Sequence, residues 1–350
     1  MDVRTRALLA TVIAAGLVLV AAGSVTAREP ASLRGSPLGT TGLRLLVDDS
    51  TPFTFDVDTG AVTRLQGLGA RRHDGYVLAV SRNAAVLVDV RSSPLTRQLY
   101  LARSDRTTVT ALGAARDVVP DADSLGVWVT RVTSKAHCVL LRIGLDGRGG
   151  AGRAIPCAWV IRPGGSLGLV VRRARVIDPA TGRTVMTSRR GVIAVAGDRL
   201  LLAGVNRHDR PGDTLAAKLA LLDSSTGTER TVRVPATTGS LEDPALDPRG
   251  RYLALPFGNP SHRLSGSQVL DVWVVDTLTG AVTHVPAMPA YVHLKATSIQ
   301  WTYDGRLVLL GEDDDGAFVA VWRPGQRTLP LERVRLPERT GASDSFAVLG

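Results

Sequence analysis

The chain has 350 residues, of which 44% are hydrophobic, so it is long and apolar enough to bury a substantial core. Its formal net charge of +10 and its pI of about 10.5 favour anionic neighbours such as lipid headgroups or wall polymers. Nucleic acid is disfavoured as a partner, because no basic run is interleaved with aromatic residues.

The N-terminus has the features of an export signal. Arg4 and Arg6 precede an uncharged stretch, Ala7 to Ala27. Its last residues, Val25-Thr26-Ala27, fit the small-residue pattern before a signal cleavage site. The stretch is also long enough to span a bilayer with its basic end in the cytoplasm. We therefore predict that residues 1–27 form either a signal peptide or a membrane anchor helix, and both alternatives export the rest of the chain.

A strand–turn–strand pattern recurs along the chain after this leader. The clearest copy is Val269–Pro286, in which two runs rich in β-branched residues flank an Asp-x-x-Thr-Gly turn. Further copies of the turn, some of them diverged, occur at Asp56–Gly60, Ser104–Arg106, Asp146–Gly147, Asp178–Gly182, Asp223–Gly227 and Arg323–Gly325. Their spacing is typical of propeller blades, and seven copies predict seven blades.

The ends of the predicted domain are expected to meet in one blade. We predict a linker at residues 28–41, which contain Pro, Gly and Ser, and a propeller domain at 42–350. The first blade offers only three strands, at 43–47, 52–57 and 61–65. We expect its innermost strand from residues 345–349, because a strand from the far terminus closes the ring without an open edge. The predicted fold is an all-β, seven-bladed β-propeller closed by a C-terminal strand in the first blade.

Two cysteines lie symmetrically about a predicted hairpin turn. Cys138 and Cys157 flank the glycine-rich turn at residues 146–149. Paired strands would bring them together, and an exported chain reaches an oxidising compartment, so we predict a disulfide. Two unpaired buried thiols are the alternative.

Three segments resemble the inner hairpin of TolB-type, WD40-like propellers, which reads like S-P-D-G-K-Y-L-A. They are Leu246–Leu255 (LDPRGRYLAL), Trp301–Leu310 (WTYDGRLVLL) and, in a worn form, Ile161–Leu167. No blade carries the Gly-His and Trp-Asp dipeptides of true WD40 repeats. The resemblance implies an extracytoplasmic binding scaffold rather than a particular TolB or WD40 partner.

Several short motifs suggest chemistry but lack the context that the chemistry needs. Residues 164–168 match G-x-S-x-G, yet a strand follows where a nucleophile elbow needs a helix. Residues 147–152 match G-x-G-x-x-G at a predicted hairpin tip rather than at a helix N-terminus. The acidic segment Glu312–Gly316 could bind calcium, although a solvated turn is the more common meaning of such a run. The six histidines show no zinc-binding spacing. We predict no catalytic residue, no metal and no cofactor.

Two long loops are the best candidates for a binding site. Residues 206–214 and 258–268 follow the second strands of neighbouring blades, which places them on one face together with the acidic loop at 312–315. The predicted binding residues are His208, Asp209, Arg210, Asp213, Asn259, His262 and Arg263. Tolerated insertions are the alternative meaning of both loops.

The sequence favours a non-enzymatic binding or assembly scaffold, exported or held at the outer face of the membrane. Its expected partner is a protein or an anionic envelope polymer, and the membrane itself if the leader is retained. The alternative is a propeller enzyme, a hydrolase or a lyase, with a polar or cation-assisted site on the same face. A purely structural domain of a larger complex is a third possibility.

Overall fold

The computed structural model describes residues 30–68, 73–90, 96–134, 137–203, 219–234, 239–260, 267–293, 298–337 and 345–350. Over these ranges the chain consists of β-strands with one short 3-10 helix. None of the helical structure in this part of the chain is long and apolar enough to cross a membrane. The predicted leader, residues 1–27, lies outside the described residues.

The strands are short and follow one another closely. Those of the first half are β1 (Ser36–Pro37), β2 (Arg44–Val47), β3 (Phe53–Asp56), β4 (Val62–Arg64), β5 (Gly75–Ser81), β6 (Ala84–Asp89), β7 (Arg97–Arg103), β8 (Thr110–Ala115), β9 (Asp117–Pro120), β10 (Gly126–Val132), β11 (His137–Gly144), β12 (Arg153–Pro156), β13 (Ile161–Pro163), β14 (Leu169–Val171), β15 (Arg175–Ile177) and β16 (Thr184–Thr187). The 3-10 helix, Gly165–Leu167, joins β13 to β14.

Those of the second half are β17 (Gly191–Ala196), β18 (Arg199–Ala203), β19 (Leu219–Asp223), β20 (Glu229–Val232), β21 (Ser240–Leu241), β22 (Ala245–Leu246), β23 (Tyr252–Pro260), β24 (Ser267–Asp276), β25 (Val282–His284), β26 (Ala290–His293), β27 (Ser298–Trp301), β28 (Leu307–Asp313), β29 (Gly316–Trp322), β30 (Pro330–Arg333) and β31 (Phe346–Leu349).

These strands form seven sheets, the blades of a β-propeller, as the sequence predicts. Blade 1 has the order β31-β2-β3-β4, and blades 2 to 5 are the meanders β5–β8, β9–β12, β13–β16 and β17–β20. Blade 6 contains β21 to β26, and blade 7 contains β27 to β30 with β1 added at its outer edge. The innermost strands of neighbouring blades contact one another around a central axis, for example β27 with β31 and β31 with β5.

The C-terminal strand closes the ring. β31 pairs with β2 in antiparallel register, with Leu45 opposite Val348 and Val47 opposite Phe346. Phe346 is fully buried in a cluster that also contains Phe53 of blade 1 and Val308 of blade 7. Neither sheet can cover its own apolar face, so this shared cluster stabilises both ends of the domain at once. The predicted closure is confirmed.

The part of the predicted linker that the structure describes, residues 30–41, packs along blade 7. Ser36 and Pro37 pair in parallel with β30, and Leu33 is buried between blades 6 and 7. A side chain at Gly35 would meet the Leu329 carbonyl oxygen, with the added Cβ only 1.9 Å from it. The absence of a side chain at this position therefore allows the segment to lie flat against the blade.

The recurrent Asp-x-x-Thr-Gly turns join the third and fourth strands of four blades. In each, the glycine N–H donates to the aspartate carbonyl, and the glycine has a φ of +71° to +75°. The aspartate carboxylate also accepts from backbone N–H groups of the turn, as Asp276 does from Leu278 at 2.9 Å. Only glycine adopts this φ readily, which explains why the motif ends in that residue.

Arginines of one blade hold the equivalent turns of the next blade. Arg44 of blade 1 donates to the Ser104 carbonyl of blade 2 at 3.3 Å. Arg153 of blade 3 donates to the Ala180 carbonyl of blade 4 at 2.6 Å, and Arg230 of blade 5 donates to a carbonyl in the blade 6 turn. These bonds join neighbouring blades at the rim, away from the apolar contacts near the axis.

The predicted disulfide is present. Cys138 and Cys157 are bonded, and their Cα atoms lie 5.0 Å apart. In the ladder between β11 and β12, Cys138 lies opposite Ile155, so the bond runs diagonally to the residue two positions farther on. It therefore fixes the end of the blade 3 hairpin at the connection to blade 4.

Candidate functional site

The loops of the propeller lie on two faces. We use "turn face" for the side with the turns between first and second strands and between third and fourth strands. We use "long-loop face" for the side with the connections between second and third strands and between blades. The predicted binding loops belong to the long-loop face.

Of the predicted binding residues, the structure describes Asn259 alone. It is half-buried in the β23–β24 hairpin, opposite Val269. That hairpin continues to Pro260 and restarts at Ser267, so the edges of the predicted 258–268 loop are strand. The other six, His208, Asp209, Arg210, Asp213, His262 and Arg263, lie outside the described residues, and their role stays a prediction.

The acidic segment at the β28–β29 turn binds other residues of the same chain. The buried carboxylate of Asp313 accepts from the Arg333 guanidinium, at 3.1 Å for Nη2, and from the Leu33 backbone N–H at 2.9 Å. Asp313 therefore fixes the N-terminal segment to blade 7. Across the described ranges, no group of three or more histidine, cysteine or acidic side chains is placed to hold a metal ion.

The G-x-S-x-G and G-x-G-x-x-G motifs both form turns, as the sequence predicts. The G-x-S-x-G segment forms the 3-10 helix between two paired strands of blade 4 instead of a strand-to-helix elbow. Residues 147–152 form the tip of the β11–β12 hairpin, where Gly149 bridges to Ile143.

A cavity of about 750 Å³ occupies the central channel. Its walls come from the inner strands, or the turns between first and second strands, of blades 2 to 7. Val348 on β31, Pro256 on β23 and Leu270 on β24 complete them. The walls are largely apolar, with Leu78, Leu270, Ile299 and Val348 among the contributors. This size and mixture are typical of a small-molecule site in proteins.

A β-bulge in blade 6 brings two carboxylates to the cavity. Leu241 lies opposite Phe257, but Ala245 lies opposite Ala254, so the inner strand has one extra residue between these pairs. Pro244 has no N–H to donate, and its presence in the extra segment accounts for the interrupted ladder. Glu242 and Asp243, which begin the bulge, line the cavity.

Glu242 has a perturbed environment. Burial, together with the negative charge of Asp243, raises its pKa, while a hydrogen bond with the Gln268 side chain acts in the opposite direction. Glu242 is nevertheless exposed to solvent. The two observations agree if the solvent is that of the channel, where protein surrounds the carboxylate on most sides. A carboxyl group with a raised pKa in a cavity is a candidate functional group.

The cavity is acidic although the chain as a whole is basic. Four carboxylates line it, and Arg249 is the single basic side chain among its described lining residues. Asp121 is neutralised by Arg142, while Asp247 is buried and accepts from the Arg249 backbone N–H at 3.2 Å. Glu242 and Asp243 have no salt bridge within the part of the chain that the structure describes.

Tyr303 lies at the end of the cavity on the turn face. Its hydroxyl donates to the Val80 carbonyl at 3.3 Å and lies 3.5 Å from the Ser124 hydroxyl, so it connects blade 7 with blades 2 and 3. Burial raises the pKa of Tyr303. The exposed Ser166 of the G-x-S-x-G turn lines the same end of the cavity.

Sequence reasoning missed this cavity, although one signal pointed to it. The hairpins that resemble the TolB-type repeat contribute Asp247, Arg249, Trp301 and Tyr303 to its wall. Loop length instead favoured the long-loop face over the channel that these hairpins line.

Comparison with known proteins gives information on the fold. No family model matches the chain, and no curated protein matches it. Solved structures do match. One is the β-propeller domain of the trilobed protease from Pyrococcus furiosus, described as having an open velcro topology, with a TM-score of 0.54, 10% identity and coverage of 88% of this chain and 100% of that one.

Two further solved structures are similar. The Pyrococcus horikoshii acylaminoacyl peptidase has a TM-score of 0.51 and 12% identity, and the match covers 86% of this chain and 52% of the peptidase. An oligogalacturonate lyase in complex with manganese has a TM-score of 0.48 and 16% identity over 84% of this chain and 83% of that one. At these identities the similarity shows the fold alone, and the chain is a seven-bladed β-propeller with a β-propeller domain among its structural neighbours.

Proposed function

We propose that the protein is an extracytoplasmic binding module that holds a small organic cation in its central cavity. The observation that carries the proposal is the bulged inner strand of blade 6, which presents Glu242 and Asp243 to the cavity. Two adjacent carboxylates in a channel with protein walls of low dielectric attract positive charge more strongly than the same pair at an open surface.

The remaining wall suits the rest of such a ligand. Leu78 and Ile299 offer apolar surface, and Gln300 and Tyr303 offer polar groups near the axis. An amine attached to an apolar or aromatic body would pair its charge with the carboxylates and bury its body against these walls. A carboxylic acid of the same shape would be repelled.

The disulfide supports an extracytoplasmic location, because disulfides persist in oxidising compartments and are rare in the cytosol. Contact with a partner protein or an envelope polymer through the long-loop face, as the sequence suggests, stays part of the proposal. That contact would use a surface separate from the cavity wall. Partner binding and cation binding can therefore be tested separately.

The experiment compares three probes of one shape and different charge: phenethylamine, phenylethyl alcohol and phenylacetate. We expect the amine alone to raise the thermal unfolding temperature of the protein in proportion to its concentration, as a ligand of the folded state must. The variant Glu242→Gln/Asp243→Asn should lose the effect and keep its fold. Stabilisation by all three probes, or an unchanged effect in the variant, would contradict a cation site.

A second candidate function, a hydrolase or lyase working in the same cavity, is favoured by the raised pKa of Glu242. A carboxyl group that keeps its proton to higher pH can protonate a leaving group. The protease and peptidase among the similar structures are enzymes by name. Mass spectrometry of small molecules from a cell-envelope extract, incubated with the protein, separates the two candidates. Loss of a compound that requires Glu242 supports an enzyme, and recovery of a bound compound unchanged supports a binding module.

A further inference from the structure

The turn between β14 and β15 has an unusual conformation for its residues. Arg172 and Arg173 have φ values of 53° and 54°, and the Ala174 N–H donates to the Val171 carbonyl at 3.3 Å. A hairpin turn with positive φ at both central positions normally contains Asn-Gly, because L-residues with longer side chains are disfavoured there. The conformation of the turn therefore does not explain why both positions are arginine. We look for the reason in what the two side chains can contact.

Further exposed groups surround this turn on the long-loop face. The β13–β14 ladder, continued by one residue, sets Val160 opposite Arg172, and Val160 is 48% exposed. The Arg173 carbonyl accepts from Val192 at 2.6 Å, which brings the connection with the exposed Arg189 alongside. We call Val160, Arg172, Arg173 and Arg189 the arginine patch.

The charges of the arginine patch are not balanced locally. None of its three arginines forms an ion pair with an acidic side chain over the ranges that the structure describes. By contrast, the acidic turn of blade 7 on the same face has a cationic neighbour, since Arg333 contacts Asp313. The patch is therefore available to an external anion.

The N-terminal segment reaches the propeller on this same face. Ser32 bridges to Tyr291 on β26 of blade 6, and the Leu33 N–H donates to Asp313. The sequence before this point contains the uncharged stretch Ala7 to Ala27. If that stretch enters a membrane, the long-loop face is the one turned toward the bilayer.

We propose that the long-loop face lies against an anionic membrane and that the arginine patch binds lipid headgroup phosphates. Guanidinium groups match phosphate oxygens in geometry and charge, and each basic residue near an anionic surface contributes to binding. Val160 adds an apolar contact at the interface. With the proposed function this inference shares only the extracytoplasmic location, and it does not depend on the cavity.

The test uses the full chain reconstituted into vesicles of phosphatidylcholine alone or mixed with phosphatidylglycerol. Hydrogen exchange is measured in peptides that cover residues 158–162 and 171–175. We expect exchange to slow severalfold in the anionic vesicles relative to the neutral ones, and this protection to disappear at high salt, because surface charge is screened. The leader, which carries Arg4 and Arg6, is the same in both vesicles and in the variants described next, so its own response to anionic lipid is controlled by those variants.

The informative variant is Arg172→Asn/Arg173→Gly, which removes two charges and supplies the residues that the turn prefers. It should keep or raise the unfolding temperature, lose the protection and leave amine binding in the cavity unchanged. The matched control, Arg148→Asn/Arg183→Asn, removes two exposed arginines from the turn face and should retain the protection. Equal exchange in both vesicles, protection that survives in the first variant, or protection that requires envelope protein instead of phosphatidylglycerol would overturn the proposal.

Discussion

Leu45 and Val348 lie directly opposite each other in the ladder between β2 and β31, so the two ends of the domain share one sheet. Removing the apolar anchor of this closure should destabilise the whole ring. Phe346→Ala removes a fully buried ring and is expected to lower the free energy of unfolding by about 3–5 kcal/mol. Chemical denaturation measures the loss.

The control for this prediction lies in the same blade. Val62 on β4 is 39% exposed, and Val62→Ala is expected to change the free energy of unfolding by about 0.5 kcal/mol or less. If the two variants were equally stable, the C-terminal strand would not contribute to the folded ring in solution.

The disulfide should stabilise the domain through the loop that it closes. Cys138 and Cys157 are 19 positions apart, and a closed loop of this length is worth about 3 kcal/mol in the chain-entropy model. A reducing agent should therefore lower the denaturation midpoint of the wild type. The Cys138→Ala/Cys157→Ala variant should start from the lower midpoint and show no response to the reducing agent. An equal response in both proteins would mean that the agent acts elsewhere.

The architecture was predictable because its signals are local. Strand runs, Asp-x-x-Thr-Gly turns and two cysteines about a hairpin are each contained within a few tens of residues, and their repetition specified the number of blades. The closing strand at 345–349 was predictable because blade 1 has only three strands in its own stretch of sequence and needs a fourth.

The cavity was not predictable in the same way. The bulge at Glu242 is a shift in the pairing of blade 6. Pro244 explains why the ladder is interrupted, but it does not specify which residues of β23 pair on either side of the interruption. The packing of Leu33 is equally remote, because its hydrogen-bond partner, Asp313, is 280 positions away. No local feature of residues 28–41 predicts more than a linker.

The repeated turns differ in what surrounds their glycines, and this difference can be measured. Gly227→Ala and Gly280→Ala both place a side chain at positive φ, which costs about 1–2 kcal/mol. The new Cβ at position 227 would meet open space, whereas at position 280 it would lie 2.6 Å from the Arg230 Cδ. We expect Gly280→Ala to be the more destabilising by about 1 kcal/mol, because Arg230 must release its inter-blade hydrogen bond.

A double-mutant cycle isolates this contact. In an Arg230→Ala background, the additional penalty at position 280 should vanish, so that the two glycine substitutions become equivalent. A difference that persists without Arg230 would show that the turn of blade 6 is constrained by something other than the arginine.

Glu242 should give stability and ligand binding opposite dependences on pH. Because its pKa is raised, the folded protein binds this proton more tightly than the unfolded chain does. The resulting contribution to stability is fully present below the unfolded-state pKa and is lost as the pH rises through the folded-state pKa. Binding of phenethylamine needs the carboxylate, so its affinity should instead fall as the pH is lowered through the same raised pKa.

Two variants separate Glu242 from its neighbour. Glu242→Gln should flatten this step in the pH profile of binding. Asp243→Asn should keep the step but move it to lower pH, because the negative charge of Asp243 is one of the causes that raise the pKa of Glu242. Calorimetric titrations across the acidic range measure both effects. A wild-type profile that matched that of Glu242→Gln would assign the pH dependence, and the cation contact with it, to another group.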